Sequence, residues 1–174
     1  MKNMLGLVCL LSTQQSKTGF AGITSARKAS PQILYNKCKE ASIHNIKMSL
    51  DTLHYCHEHN IKYNRITSSL IAFDDLWDWK NDEEVLKGLK AIKQLSEYYG
   101  IELIIHPSQF VVLSSDKDEV VCNSLNVIQY HYELCKLCGI KHIILHVGSK
   151  QEGALERWMS NYLLLQEEVR NLIR

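Results

Sequence analysis

Apolar residues recur along this chain in two alternating rhythms. Short continuous runs at residues 4–10, 63–67, 102–106 and 142–146 have the length and branched composition of buried strands. Between them, apolar positions recur every three or four residues, the spacing that gives one face of a helix. The first helix is predicted to start at Ser30-Pro31, where serine suits the cap and proline the first helical position, and to end near Asn60. Leu34, Cys38, Ala41, Ile46, Leu50, Leu53 and His57 form its face. A second helix follows a cap at Asn81 or Asp82, with Glu83 and Glu84 in its first turn and Val85, Leu86, Leu89, Ile92 and Leu95 facing inward. Gly100 and Gly139 stop the second and third helices, the third covering residues 119–138. A last helix is predicted over residues 154–174, with Leu155, Trp158, Met159, Tyr162, Leu165 and Val169 on one side, while residues 12–29 read as a loop.

Four strands, each followed by a helix, predict an α/β chain of about four parallel (β/α) units joined by right-handed crossovers, in one domain over residues 1–174. The strand count alone fits an open sheet or part of a barrel. No glycine-rich phosphate loop follows any strand, which removes the main support for a nucleotide-binding open sheet.

Composition narrows the class only slightly. The chain has 174 residues, fewer than a complete eight-unit barrel ordinarily takes, and its net charge of +1 does not by itself mark a nucleic-acid binder. Six cysteines sit within helical or strand patterns, so a reducing, intracellular setting is expected. The apolar run from Leu5 to Leu11 lacks a cleavage site and reads as a strand; no segment approaches a membrane span, and no membrane association is expected. Cys135-x-x-Cys138 has no matching second pair, which favours core packing over zinc.

Chemistry is expected where parallel strands end, because the loops converge on that rim. Two strands end in histidine, His106 and His146, and equivalent strand ends would bring their imidazoles together. Neutral imidazole is a good ligand for divalent zinc, manganese or iron; hydrogen-bonded rim histidines are the plainer alternative.

The residues after His106 are more specific. The segment His106-Pro-Ser-Gln-Phe-Val-Val-Leu113 is similar to the His-Pro-Gly-Gln-aromatic-Val segment of UV damage endonucleases. Glu119-Val-Val, Asn123-Ser-Leu125, Tyr130-His and Glu133-Leu resemble that family's next helix, and His146-Val-Gly148 its next strand end. Asn64-Arg65-Ile66 resembles its second strand, and Leu5-Gly6-Leu7 its first.

The resemblance implies the N-terminal half of a TIM-type barrel. It further implies His106 and His146 as metal ligands, and Gln109 and Phe110 as the pair that enters damaged duplex DNA at the lesion. The implied reaction is metal-dependent hydrolysis of the phosphodiester 5′ to a photoproduct, with Mn2+ as the expected cation. Lys150 is offered as a phosphate contact against a solvated reading. Asp75, in Phe73-Asp-Asp-Leu-Trp-Asp-Trp79, is a substitute for the family's histidine in that loop; the bland reading is a solvated acid. Leu7 and Leu11 stand where the family has tyrosine and asparagine. The resemblance also implies a fifth strand beyond Arg174 carrying Glu-Asn-Asp and further ligands, so an incomplete metal site and open edges that pair with a second half or another copy are expected. Two rival readings remain at this point: a non-catalytic damaged-DNA-binding remnant, and another metal-dependent barrel enzyme such as an apurinic-site endonuclease or sugar isomerase.

Overall fold

A computed structural model describes residues 5–8, 11–148 and 151–174. Four strands form one parallel sheet in the order β1-β2-β3-β4: β1 (Gly6–Val8), β2 (Tyr63–Ile66), β3 (Glu102–Ile105) and β4 (His142–Ile143). The expected first strand extends over Met4, Cys9 and Leu10, which lie outside the described residues. The helices are α1 (Ile23–Arg27), α2 (Pro31–Glu58), α3 (Glu83–Tyr99), α4 (Asp118–Cys138), α5 (Ala154–Tyr162) and α6 (Glu167–Arg170). Sequential strands that pair in parallel, with a helix in each connection, are the expected (β/α) units.

The helix ends follow local chemistry. Pro31 occupies the first turn of α2, and the Asp82 carboxylate accepts from the Glu84 and Val85 amides at 3.1 and 3.0 Å to cap α3. Gly100 and Gly139 end α3 and α4 at φ 62° and 71°, a left-handed conformation that costs glycine little.

The two faces of the sheet differ. Ile66, Leu103, Ile105 and Ile143 are buried beneath the helices in one core with Leu53, Leu89, Ile92, Ile128 and Leu134. The opposite face presents Tyr63, Arg65, Glu102, Ile104 and His142, all only partly covered. Large apolar side chains are exposed at both ends of the sheet: Leu5 and Val8 at one, Leu155, Met159, Leu163 and Leu164 at the other.

Three expectations are corrected. First, the loop expected over residues 12–29 contains α1. Second, α2 buries a polar stripe as well as its apolar one: Ser42, Asn45, Ser49 and Thr52 are buried, while Leu34 and Leu50 are only partly so and His57 is exposed. Asn45 explains the stripe, because it accepts from the Lys17 amide at 2.7 Å and donates to the Lys17 and Ser69 carbonyls at 2.9 and 2.8 Å. Loops that cross a helix need partners for their backbone, and polar helix positions supply them.

Third, the single helix expected over residues 154–174 is broken. α5 ends at Tyr162, α6 is a single turn, and residues 172–174 run parallel to β4. Ile143 donates to the Leu172 carbonyl at 2.8 Å, and Arg174 donates to the Ile143 carbonyl at 3.0 Å. The edge of β4 would otherwise present unpaired backbone groups, and pairing there outweighs continued helix. Residues 163–174 contain no glycine or proline to signal the break.

Candidate functional site

His106 follows β3 directly, and His146 lies three residues beyond β4. The Ile144 amide donates to the Ile105 carbonyl at 2.8 Å, so the two chains stay side by side past the end of β4. This registration brings the imidazoles together. His106 Nε2 and His146 Nε2 are 2.9 Å apart, with ring centroids at 4.7 Å and planes inclined by 66°. In a neutral pair one ring donates and the other accepts. His106 is half-buried and His146 is exposed, so the pair is open to solvent.

The spacing also suits two ligands of one cation, because metal–nitrogen bonds of about 2.1 Å leave neighbouring nitrogens roughly 3 Å apart. The donor set is incomplete: among the described residues, no group of three or more histidine, cysteine, aspartate or glutamate side chains could hold a metal. Asp75 is exposed, and no such cluster joins it to the imidazoles. Lys150 lies outside the described residues.

Gln109 and Phe110 sit at the tip of a turn that starts immediately after His106-Pro107. Both are exposed, Phe110 to 79% of its surface. The turn is held from both sides: Pro107, Val111 and Leu113 are buried, Val111 donates to the Ser108 carbonyl at 3.1 Å, and Val112 donates to Ser124 Oγ at 2.9 Å. With most of its surface exposed, the phenyl ring adds little to the packing of the turn that carries it. A recess of about 410 Å³ opens beside it against α4, lined by Gln109, Val111, Val112, Val120, Asn123 and Val127 among others. A larger recess, about 890 Å³, lies away from this rim, between residues 13–21 and α2, and is lined by neither the imidazole pair nor Phe110.

Two side chains near the rim were not singled out from the sequence. Asp74, half-buried beside the exposed Asp75, has its carboxyl pushed up to about 6 by burial and by the neighbouring Asp75 charge. His131 is buried in α4, and its Nδ1 lies 2.7 Å from the Val127 carbonyl, which fixes the proton on Nδ1. Burial lowers the His131 pKa, and the nearby His106 lowers it further despite the opposing Val127 bond. The Tyr130-His131 dipeptide was the available signal for His131; Asp74 had none beyond the acidic loop itself.

Comparison with known proteins gives a consistent result. The sequence model of the UV-endonuclease UvdE family matches residues 3–174. A UV DNA damage endonuclease from Nostoc sp. is 33% identical over 159 residues, covering 86% of this chain and 49% of the relative. A putative UV-damage endonuclease of Acanthamoeba polyphaga mimivirus is 32% identical over 181 residues, covering 97% of this chain and 55% of the relative. The crystal structure of SacUVDE superposes with a TM-score of 0.81 at 25% identity, covering 98% of this chain and 59% of that one. The chain thus spans about half the length of the curated relatives it matches. Its four (β/α) units correspond to half of a TIM-type barrel.

Proposed function

The chain belongs to the UV-endonuclease UvdE family, and from that premise we propose that it supplies the lesion-reading side, and two metal ligands, of a DNA-repair endonuclease. The observation that carries this reading is the exposed Phe110 on an anchored turn, four residues after His106. An aromatic ring held out from the surface can replace the stacking lost when a damaged nucleotide leaves the helix, and the Gln109 amide can meet the hydrogen-bonding edges left behind. Lesions that already weaken pairing lower the cost of that opening, so recognition requires no base sequence.

His106 and His146 would hold a divalent cation, with manganese the expected ion. Such a cation, when bound, polarises a phosphodiester and lowers the pKa of water. The chain's own contribution is to hold two imidazoles side by side beyond neighbouring strands, beside the ring that would locate the lesion. Hydrolysis 5′ to a photoproduct is the reaction proposed for the complete site, and damaged duplex DNA is the proposed partner.

Binding of irradiated and intact duplexes, with and without Mn2+, tests this reading. Selective binding of irradiated DNA is expected; equal affinity for both would sink the lesion-reading role. A second reading has a specific observation in its favour, since two imidazoles without a third ligand among the described residues suit a damage-binding protein that does not cut. Selective binding without Mn2+-dependent nicking would establish that alternative.

A further inference from the structure

Two loops meet on the carboxyl rim. Residues 107–117 follow β3 and carry Gln109 and Phe110; residues 147–153 follow His146. Backbone turns satisfy some of the described carbonyls here, such as those of Ser108, Val112 and Gln151, while those of Leu113, Ser114 and Glu152 take side-chain partners. Helix α5 supplies them. Arg157 Nε donates to the Ser114 carbonyl at 3.0 Å, and its Nη1 donates to the Glu152 carbonyl at 3.2 Å. One guanidinium therefore bridges the two loops. One turn along, on the same helix face, Asn161 Nδ2 donates to the Leu113 carbonyl at 2.8 Å.

The Gly148 backbone also approaches the Ser114 side chain at this point. Gly148, at φ 103°, packs so tightly that a Cβ there would lie 2.4 Å from Ser114 Oγ. Leu113 and Ser114 are buried, which leaves little slack between Arg157 and the reading turn. A guanidinium presents several donors in a fixed plane and can serve two carbonyls at once, whereas an ammonium acts as a single compact charge.

We propose that Arg157 is a positioning residue that fixes the Gln109-Phe110 turn relative to the His106–His146 pair, with Asn161 securing the turn's side alone; the inference rests on the lesion-reading role proposed above. A probe that is ordered before DNA arrives does not lose that ordering entropy on binding. Coupling the two loops also keeps the reading ring at a set distance from the rim imidazoles, so that a lesion located by one is presented to the other.

Hydrogen exchange on the full chain without DNA tests the coupling directly. In Arg157→Ala, amides in both 108–115 and 151–153 should exchange about ten-fold faster, while β2 and β3 keep their protection. Asn161→Ala should loosen only 108–115, and Arg157→Lys should restore at most one loop. Unchanged exchange in both loops, loosening of one loop alone in Arg157→Ala, or full rescue by lysine would overturn the bridge. If the alanine variant does not fold, the lysine and Asn161 variants still decide the matter.

Preference for irradiated over intact duplex should fall about ten-fold in Arg157→Ala, with intact-duplex affinity unchanged. Retained preference despite loosened loops would overturn the positioning role. If the unmodified chain shows no preference, the lesion-reading role fails on that measurement alone, and the exchange data still settle the bridge.

Discussion

The loops after β2 and β3 leave the same rim and both carry aromatic and polar side chains, yet they use them in opposite ways. Residues 67–82 turn inward. Leu70, Ile71, Ala72 and Trp79 are buried, Trp79 packs edge-on to Tyr130 at 5.9 Å, and Trp77 Nε1 donates to the Ala72 carbonyl at 2.7 Å. The loop closes on Asp82, which caps α3 and also meets the Tyr35 hydroxyl and, at 3.0 Å, the Lys39 ammonium. In residues 107–117 the aliphatic flanks are buried and the aromatic ring is exposed. Aromatic content therefore does not distinguish a structural loop from a reading loop; the direction in which the anchored backbone holds the ring does.

The contrast can be broken by mutation. Trp79→Ala should cost about 3–5 kcal/mol in denaturant unfolding, as expected for a large buried ring. Phe110→Ala should change stability by less than about 0.5 kcal/mol. Comparable losses in the two variants would abolish the distinction. A smaller effect is expected from acid. Burial alone would raise the Asp82 carboxyl, but the Tyr35 hydroxyl, the Val85 amide and Lys39 outweigh it and hold it at about 2. Its stabilisation is complete above the unfolded value near 4 and is lost as pH falls through 2, a loss of roughly 2 kcal/mol that Asp82→Asn should not show.

On the reading side, Phe110→Ala should lower irradiated-duplex affinity about ten-fold, the order of one lost aromatic stacking contact. His106→Ala should weaken Mn2+ binding by about ten-fold or more in a calorimetric titration, and unchanged binding would refute the ligand role. The smallest effect belongs to Asp74. Its raised carboxyl makes folding less favourable as pH climbs from about 4 to about 6. Asp74→Asn should therefore raise the melting temperature at pH 7 and leave it nearly unchanged at pH 4.

The strands, three helices and the imidazole pair were legible because each has a local signal: branched apolar runs, period-three-and-four faces, Asp82, Gly100 and Gly139 at helix ends, and a histidine closing each of two apolar runs. What escaped depends on partners distant in sequence. Asn45 is buried because loop backbone reaches it from residues 17 and 69, a demand that α2 does not encode by periodicity. Residues 172–174 leave the helical pattern because the edge of β4 is available to them. The role argued for Arg157 is likewise invisible locally, since both carbonyls it serves belong to other segments.

The contact between His106 and His146 joins positions 40 residues apart, with all of α4 between them. It requires β4 to be docked in register beside β3, so its appearance reports the closure of one crossover. The two rings thus form a built-in reporter of folding: ring-proton resonances of the pair should take their native positions together with protection of the Ile144 amide.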